Sequence, residues 1–383
     1  MSGATTMSVP VLPLATVPPA ARPLVDRACL PAPLRERLRD VALRAPPADA
    51  AQRWVPLRLG AATWQCAQPI TFTPYASARP CSARCGFCSE NLRHRDTVRA
   101  ANTLRPAADY FEGLARALAL LREVPLSWSL SGLENTDDAA WLLQLLEVLY
   151  AAERDGVRVE QRVLYSNGAG FAGERGADLI AALARFGLSR IELSRHHWEA
   201  ARNQSIMRFR EGLRIQEAPA FAEAMQALTP RIPVWLVCIV QRDGVATADA
   251  MAAYLEAAAA LGASGVIFRE LARTDADYRQ NHTSRHIERQ HLRIDALVAQ
   301  AFAHPALGRE LAPQRLTEGY YFWNLVTRWR DALDVVFEAA DYATLQRRHD
   351  SGRLYKLVYF ANGELCGGWE PGRRVLWSAH GHD

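Results

Sequence analysis

The sequence predicts an α/β fold: a partial (β/α)6 TIM-like barrel with an N-terminal extension and a C-terminal helical plus β-hairpin region. Short runs rich in Val, Ile and Leu alternate with Ala/Leu-rich runs of helical length from about residue 61 to about residue 275. Successive βα units imply parallel strands joined by right-handed crossovers. Six units are predicted, fewer than the eight that close a full barrel.

The chain divides into three predicted segments. Residues 1–60 form an Ala/Pro-rich tail and extension, with one short helix at Leu34–Leu43 before Pro46 and Pro47. Residues 61–275 form the barrel, and residues 276–383 form C-terminal helices and a β-hairpin.

The elements of the barrel follow from the apolar periodicity. The predicted strands are Ile70–Thr73, Leu126–Ser131, Val159–Ser166, Arg190–Ser194, Pro233–Val240 and Gly265–Arg269. The predicted helices between them are Ala108–Leu121, Ala140–Ala152, Ala177–Phe186, Ala218–Leu228 and Ala248–Leu261. A loop after the first strand would lie at the C-terminal mouth of the barrel, where barrel enzymes carry their active sites.

The region after the barrel is predicted to be helical and then to end in a hairpin. The predicted helices are Ser284–Ala303, Tyr321–Leu333 and Glu338–Arg348. The hairpin strands, Leu354–Phe360 and Glu364–Trp369, flank Asn362-Gly363, a favoured turn pair.

Composition and charge indicate an ordinary globular protein. Of the 383 residues, 49% are hydrophobic and 22% are charged, and the net charge of +4 favours neither nucleic acid nor a membrane surface as a partner. No apolar run is long enough for a transmembrane helix. The first residues lack the pattern of a signal peptide, so a cytoplasmic location is expected.

The seven cysteines are an odd number in a long chain, which argues against a disulfide framework. Four of them are scattered and are interpreted as small buried hydrophobic residues: Cys29, Cys66, Cys238 and Cys366. The other three lie close together in one short stretch.

That stretch, Arg79–Glu90, contains Cys81, Cys85 and Cys88 in the spacing C-x3-C-x2-C. A loop this short can direct three thiolates at one centre, as three corners of a [4Fe–4S] cluster require. A cubane has four corners, so one iron would stay open for a substrate or cofactor. Because the loop follows the first strand, this metal site would lie at the mouth of the barrel.

Structural zinc is the rival interpretation of the cysteines. Structural zinc needs four protein ligands, usually in paired Cys or Cys/His sets. The nearest fourth ligand is His94, and no second pair of cysteines follows.

The cysteine spacing, with Phe87 directly before the third cysteine, resembles the signature of the radical S-adenosylmethionine (radical SAM) superfamily. The resemblance covers roughly residues 65–275 and identifies no subfamily. It implies that S-adenosylmethionine chelates the open iron of the cluster. Reductive cleavage then yields a 5′-deoxyadenosyl radical that abstracts hydrogen from the substrate. It also implies a flavodoxin- or ferredoxin-like electron donor.

The resemblance assigns cofactor-binding roles near the first two strands. Phe87 matches the aromatic residue that lies near the adenine. Ser131-Gly132-Leu133-Glu134 stands where the family often has Gly-Gly-Glu, which implies that Gly132 and Glu134 hold the methionine ammonium. The match is partial because Ser131 replaces a glycine and Leu133 is inserted. Glu134 could instead cap a helix N-terminus.

Further cofactor contacts are implied at the next strands. Asn167, in Ser166-Asn167-Gly168, matches the family's Thr-Asn-Gly, although Asn-Gly also supplies turn geometry. Ser194 and Arg195 end the fourth strand, where the family places polar residues on the ribose and carboxylate.

Four residues near the predicted mouth are candidates for substrate contact: His196, His197, Asn203 and Arg269. Neighbouring residues of an extended strand point to opposite sides, so His196 and His197 cannot both face inward. For Arg269, a structural ion pair is the rival interpretation.

Cys366, in the terminal hairpin, could donate hydrogen to a substrate radical, or it could be a packed structural thiol. The function predicted for the chain is that of a radical SAM enzyme acting on a small molecule in natural-product or cofactor biosynthesis. Two alternatives stay open: a peptide-modifying radical SAM enzyme, and a non-catalytic iron–sulfur or zinc protein.

Overall fold

The structure is a computed structural model. It describes residues 30, 32–39, 41–46, 49–92, 105–272, 279–341, 344–345 and 352–381. Cys29, His94 and almost all of the predicted N-terminal tail lie outside these residues. No helix in the described ranges is both long and apolar enough to cross a bilayer.

The N-terminal extension contains four short elements. They are α1 (Ala32–Arg37), β1 (Ala42–Arg44), α2 (Ala50–Arg53) and β2 (Trp54–Leu59). The helix predicted at Leu34–Leu43 is therefore too long, because residues 42–44 leave it to pair in parallel with a C-terminal strand. Leu34 anchors the extension in the main core, where its side chain is 1% exposed.

The barrel strands are confirmed, each pairing in parallel with the next. They are β3 (Ala62–Tyr75), β4 (Leu126–Leu130), β5 (Val159–Ser166), β6 (Arg190–Ser194), β7 (Val234–Val240) and β8 (Gly265–Glu270). The first of these strands is much longer than predicted, because its N-terminal half pairs with β2.

Helices cover one face of these strands. They are α3 (Tyr110–Ala119), α4 (Ala139–Arg154), α5 (Gly176–Phe186), α6 (Ala200–Met207), α7 (Ala218–Leu228) and α8 (Ala248–Ala260). Five agree with the predicted helices to within two residues at each end, and α6 was not predicted. Their starts follow local chemistry, since Asp138 and Thr247 accept backbone N–H bonds as N-caps of α4 and α8.

The two faces of the sheet differ in character. Ile191 and Leu193 of β6 are buried in the core beneath the helices, so the residues between them face the other, inner side. That inner side carries Glu192 and, from neighbouring strands, Tyr165 and Arg269. The interior of the partial barrel therefore carries charged side chains beside an apolar cluster that includes Val237 and Ile267.

The C-terminal region starts with three helices, of which the first two were predicted as one and the third was not predicted. They are α9 (His282–Gln290), α10 (Ile294–Ala303) and α11 (Leu307–Glu310). The break between α9 and α10 has a physical cause in β8. The carboxylate of Glu270 accepts the backbone N–H of Ile294 at 2.8 Å and contacts Nε2 of His291 at 2.8 Å, which gives α10 a start of its own.

Of the two further helices predicted here, Tyr321–Leu333 is wrong, and Glu338–Arg348 is wrong for residues 338–340, while residues 344–345 are helical. The chain forms β9 (Leu311–Glu318), β10 (Phe322–Trp329) and β11 (Leu333–Ala340) instead. Burial along β10 alternates residue by residue, as in a strand, and β-branched and aromatic residues favour that state. Most of the second predicted helix beyond residue 341 lies outside the described residues.

The terminal hairpin is confirmed. It comprises β12 (Arg353–Phe360) and β13 (Glu364–Cys366), and β14 (Val375–Ser378) adds a third strand. Val358 pairs with Cys366 across the turn, where Gly363 has a φ of +82° that glycine adopts without strain.

The C-terminal strands extend the barrel sheet at both edges. The strand order is β1-β9-β10-β11-β8-β7-β6-β5-β4-β3-β12-β13-β14, with β2 on β3. β11 joins β8 and β12 joins β3, both in parallel. The predicted α/β fold class is confirmed, and its parallel run gains a strand from the C-terminal region on each side.

Candidate active site

The cysteine loop leaves the C-terminal end of β3 and borders a cavity of about 1050 Å³. Cys81, Cys85 and Cys88 all line this cavity, and each is partly exposed. None of the three is in a disulfide. The structure therefore brings the three predicted metal ligands to one cavity at the mouth of the parallel sheet.

A second segment holds the loop in place. Residues 208–210, directly after α6, run alongside it through an antiparallel bridge between Ala83 and Phe209. The backbone N–H of Arg210 donates to the carbonyl of Ser82 at 3.0 Å. The Arg210 guanidinium donates to the carbonyls of Pro80 at 3.1 Å and Cys81 at 2.8 Å. These long-range contacts were not predicted.

The thiols are held in an environment that disfavours a bare thiolate. Burial raises the pKa of Cys81 to about 12, and burial together with the neighbouring thiols raises the pKa of Cys85 further. A positively charged metal centre would supply the charge that stabilises thiolates here. The donor set fits an iron–sulfur cluster, and hydrogen bonds to Cys81 Sγ come from Ala83 N at 3.4 Å and Asn167 Nδ2 at 3.6 Å.

The alternative of a single zinc ion finds no ready-made site. Within the described ranges, no three His, Cys, Asp or Glu side chains stand close enough together to hold one metal ion. His94 is outside those ranges. A cubane carries its thiolates on separate irons, so it tolerates wider spacing than one ion with bonds of about 2.3 Å.

Phe87 and His196 meet beside the loop. Their rings are 5.1 Å apart in an edge-on arrangement. Nδ1 of His196 accepts the backbone N–H of Ile239 at 3.1 Å, so a neutral ring carries its proton on Nε2. Burial lowers the pKa of His196 to about 3. Of the two adjacent histidines, His196 is the one that the structure brings to the cysteine loop.

Glu134 lies at the end of β4 and is 2% exposed. One carboxylate oxygen accepts Thr136 N at 3.0 Å, Thr136 Oγ1 at 2.6 Å and Ser166 Oγ at 2.8 Å, and the other accepts the backbone N–H of Asn167. Burial, with Asp137 nearby, raises the pKa of Glu134 to about 7. The carboxylate thus braces the ends of β4 and β5, while its contact with a methionine ammonium stays a prediction.

Asn167 connects β5 to the cysteine loop. Besides its contact with Cys81, its Nδ2 donates to Ser82 Oγ at 2.8 Å, and its Oδ1 accepts Ala169 N at 2.9 Å. The turn role predicted for Asn167 is therefore present, and its predicted contact with the cofactor stays a prediction.

The turn after β4 takes an unusual backbone path. Gly132 and Leu133 both have positive φ, +119° and +52°. A Cβ on Gly132 would lie 2.9 Å from the ring of Tyr75, so only glycine fits against that ring. Leu133, the residue that interrupts the family pattern, lines the cysteine cavity.

Asn203 and His197 lie behind the cavity. Asn203 is 1% exposed, and its Oδ1 accepts the backbone N–H of His196 at 2.8 Å. His197 is fully buried, its Nδ1 accepts Glu199 N at 3.0 Å, and its ring stacks on Trp198. Neither residue lines the cysteine cavity, and the substrate contact predicted for each stays a prediction.

The structure does not bring Arg195 or Arg269 to the cysteine cavity. Arg195 points to the helix side of the sheet, where its guanidinium lies 4.3 Å from the centre of the Phe221 ring. Arg269 faces inward but pairs with Glu192 at 3.0 Å and Glu338 at 2.6 Å. The structural ion pair that rivalled substrate binding is thus present. Ser194, half-buried, ends β6 on the inner side.

Cys366 is fully buried in an apolar cluster with Tyr75, Val358 and Phe360. Burial raises its pKa to about 12, which keeps the thiol protonated. This environment is that of the packed thiol predicted as its alternative role, and hydrogen donation stays a prediction. Cys66 and Cys238 are also fully buried, as predicted.

Sequence reasoning missed Lys356 of β12. Its Nζ donates to Thr71 Oγ1 at 3.1 Å and lies 4.1 Å from the centre of the Trp369 ring. Burial lowers the pKa of Lys356 to about 7. Trp369 in turn packs on Tyr75, whose hydroxyl donates to Glu90 of the cysteine loop. A signal existed, because Lys356 is the only lysine in the sequence.

No family model and no curated protein matches the sequence. Among solved structures, the chain is similar to Streptococcus suis SuiB bound to precursor peptide SuiA. The identity is 12%, the match covers 82% of this chain and 63% of that one, and the TM-score is 0.50. It is also similar to coproporphyrinogen III oxidase (HemN) from Escherichia coli, described as a radical SAM enzyme. There the identity is 13%, the coverage is 68% and 66%, and the TM-score of 0.36 carries no argument.

The likeness concerns the fold. The chain spans 50%, 64% and 63% of the three SuiB chains that it matches. The match to SuiB agrees with the fold predicted from the sequence, and at 12% identity it bears on the fold alone. The subfamily and the chemistry are matters for proposal.

Proposed function

We propose that the chain is a radical SAM enzyme. In this proposal Cys81, Cys85 and Cys88 hold a [4Fe–4S] cluster, and S-adenosylmethionine binds at the open iron. The observation that carries the proposal is the convergence of three thiols from one short loop on one cavity at the mouth of a parallel sheet. When bound, the two cofactors supply an electron and a hydrogen-abstracting radical. The protein binds and orients the cofactors and the substrate, and it excludes competing reactants.

Chain residues around the loop have distinct proposed roles. Phe87 offers an aromatic edge to the adenine, and His196 offers a neutral Nε2–H donor beside it. The turn at Gly132 and Leu133 presents backbone groups to the methionine end. Glu134 and Asn167 hold that turn and the cysteine loop together.

The proposed substrate is a small polar molecule bound against the inner face of the sheet, in natural-product or cofactor biosynthesis. Charged and hydroxyl side chains on this face support it: Glu192, Arg269 and Glu338 form a network, and Lys356 lies on the same side with Thr71. Such a face suits polar groups because each buried polar atom requires a partner.

A peptide substrate is the second candidate. The observation in its favour is the shared fold with SuiB, whose structure is described as bound to precursor peptide SuiA. A peptide and a small molecule differ in size, so the two candidate substrates can be distinguished by their effect on the uncoupled cleavage of S-adenosylmethionine. A peptide that slows uncoupled cleavage of S-adenosylmethionine at micromolar concentration would favour the second candidate over the first.

The proposed electron donor is an acidic flavodoxin- or ferredoxin-like protein, which implies a cytoplasmic location. Exposed arginines support a docking face at the rim of the cysteine cavity: Arg84, Arg208 and Arg210. Complementary charge accelerates such encounters and weakens with salt. Electron transfer from a flavodoxin should therefore slow as ionic strength rises, whereas reduction by dithionite at the same site should respond less.

Anaerobic reconstitution tests the cluster directly. The expected product is brown, with about four irons per chain. Its reduced form should give an electron paramagnetic resonance signal that changes when S-adenosylmethionine is added. Cys85→Ala should lose the iron, and Cys66→Ala, a control at a fully buried cysteine of the core, should keep it. A colourless protein with one zinc would establish the non-catalytic alternative instead.

A further inference from the structure

Lys356 stands out by both composition and placement. The chain has 45 lysines and arginines, and Lys356 is the one lysine among them. It is 5% exposed and lies on the inner side of β12, paired in register with Thr71. Arginine cannot release its proton at ordinary pH, whereas a buried lysine can. Every other member of this set is an arginine, so Lys356 is the one among them whose side chain can exchange a proton at ordinary pH.

The surroundings of Lys356 supply no counter-ion. In the described part of the chain, its ammonium has a hydroxyl and an aromatic face as neighbours and no carboxylate. The hydroxyl of Thr73, two residues along β3 on the same face, is buried without a hydrogen-bond partner. A buried cation and a buried hydroxyl without a hydrogen-bond partner on the same face are costly unless a further polar group joins them.

We propose that Lys356 is a catalytic acid–base amine that contacts the substrate on the inner face of the sheet, an inference that rests on the proposed function. The substrate class is a small molecule with a carboxylate or an acidic hydroxyl group. The neutral Nζ takes the proton of that hydroxyl and becomes ammonium, and the electron pair of the broken O–H bond stays on the substrate oxygen. Thr71 and Thr73 complete the polar cradle.

A single lysine allows a direct test on the full chain. Reductive methylation with ¹³C-formaldehyde labels Lys356 and the α-amino group, and peptide mass spectrometry separates the two. The labelled amine of Lys356 should titrate near neutral pH, and acetate, the simplest carboxylate, should slow its methylation several-fold. An amine that titrates like an exposed lysine, or methylation at the same rate with and without acetate, would overturn the proposal.

Two variants separate this proposal from the proposed function. Lys356→Arg keeps the charge but cannot release its proton, and Lys356→Met removes both. Acetate, compared with chloride at the same ionic strength, should raise the Tm of Lys356→Arg and leave the Tm of Lys356→Met unchanged. A Tm of Lys356→Met that still rises with acetate would contradict the proposal. Absence of S-adenosylmethionine cleavage in the unmodified enzyme would refute the proposed function alone, since the titration and the acetate measurements do not depend on it.

A second inference comes from a separate cavity of about 250 Å³ on the helix side of the sheet. Its walls include Arg195, Trp198, Phe221, Leu236, Tyr254 and Leu261. It shares no lining residue with the cysteine cavity. The alternation of β6 sends Arg195 to this side, where it is 4% exposed.

The guanidinium of Arg195 has no anionic partner in the described ranges. Burial lowers the pKa of Arg195. Its titratable neighbours are Tyr254, whose hydroxyl donates to the carbonyl of Arg195 itself, and the two histidines that follow it, and none of these is an anion. A buried guanidinium whose remaining neighbours are aromatic and aliphatic lacks the compensation that buried charges need. The unmet requirement is a carboxylate, which guanidinium binds through paired hydrogen bonds.

We infer that this cavity binds a small monocarboxylate with a flat apolar body. Its volume is below the range of about 300–1,000 Å³ typical of drug-sized ligands, which limits the occupant to about the size of phenylacetate. The aromatic and aliphatic walls suit the ring, and the single guanidinium suits one negative charge. A dianion would leave charge unpaired against apolar walls.

Phenylacetate and its neutral isostere phenylacetamide test this site by calorimetry and thermal unfolding. The acid should bind and raise the Tm, and the amide should bind about ten-fold more weakly or worse. Arg195→Met should abolish the preference, and Arg231→Met, at an exposed arginine, should keep it. Ala222→Trp, which fills the cavity with Arg195 intact, should block binding even if the Arg195 variant fails to fold. Equal binding of acid and amide, or binding that survives Ala222→Trp, would overturn the inference.

Discussion

The contacts of His196 fix both its tautomer and its protonation state. Its Nδ1 is occupied by the backbone N–H of Ile239, and burial keeps the ring neutral. The ring therefore presents a fixed Nε2–H donor beside Phe87 at every pH in the working range. The sequence indicated that only one of the two adjacent histidines faces the site, but the choice between them depends on contacts with β7.

The Asn and Gln variants of His196 test the roles of Nδ1 and Nε2 one at a time. Asn can still accept from Ile239 but lacks the outer donor, so we expect an affinity for S-adenosylmethionine about ten-fold lower, with little loss of stability. Gln keeps the outer donor but loses the inner contact, so its free energy of unfolding should fall by about 1–3 kcal/mol. Binding titrations and urea unfolding measure these effects. An unchanged affinity in the Asn variant would exclude this role.

Lys356 makes the stability of the protein depend on pH. Burial lowers its pKa to about 7 from 10.5, so the unfolded chain binds more protons between these values. The free energy of unfolding should therefore rise between about pH 7 and pH 10.5, by about 1.4 kcal/mol per pH unit at most. Lys356→Met should remove this rise and stabilise the protein at pH 7. Urea unfolding at both ends of the window measures it, and equal slopes in the two proteins would contradict the assignment.

At the scale of elements, the segment after α6 acts as the support of the cysteine loop. Arg210 donates to two carbonyls of that loop and lies 129 and 130 residues away from them in sequence. Arg210→Met should speed loss of the reconstituted cluster about five-fold under air, as the loss of hydrogen bonds worth about 1 kcal/mol predicts. Arg214→Met is the matched control, since Arg214 pairs with Glu223 on the surface. Equal rates in the two variants would mean that the segment gives no support.

Local pattern predicted the βα units well and the C-terminal elements poorly, for a physical reason. The barrel strands are short runs rich in Val, Ile and Leu, and their helices are longer amphipathic runs, so a local window separates the two. The region Phe322–Trp329 mixes aromatic and β-branched residues, and its strand state depends on pairing with β9 and β11. Such pairing is a tertiary effect that a local window does not contain.

The same limit applies to the candidate site. The cysteine spacing and Phe87 are local, so the sequence alone predicted them as site residues. The partners Ser166, Phe209 and Tyr75 reach the site from distant parts of the chain. The direction of Arg195 depends on the register of β6, and its placement behind the sheet follows from where that strand ends.

At the scale of the whole molecule, the C-terminal region completes the barrel sheet. β12 pairs with β3, from which the cysteine loop leaves, and its Leu357 is fully buried in the main core. Leu357→Ala should cost about 2–5 kcal/mol, and it should lower a single unfolding transition shared by barrel and C-terminal region. The exposed Leu43→Ala serves as the control. A variant that lowers only one of two separate transitions would indicate independent domains.

The production of 5′-deoxyadenosine tests the central claim most directly. The reconstituted protein, reduced by dithionite under anaerobic conditions with S-adenosylmethionine, should release 5′-deoxyadenosine, detected by mass spectrometry. Cys81→Ala, Cys85→Ala and Cys88→Ala should each abolish its release, and Cys66→Ala should not. Iron-loaded protein that binds S-adenosylmethionine but releases no 5′-deoxyadenosine, or release that persists without the three thiols, would contradict the account.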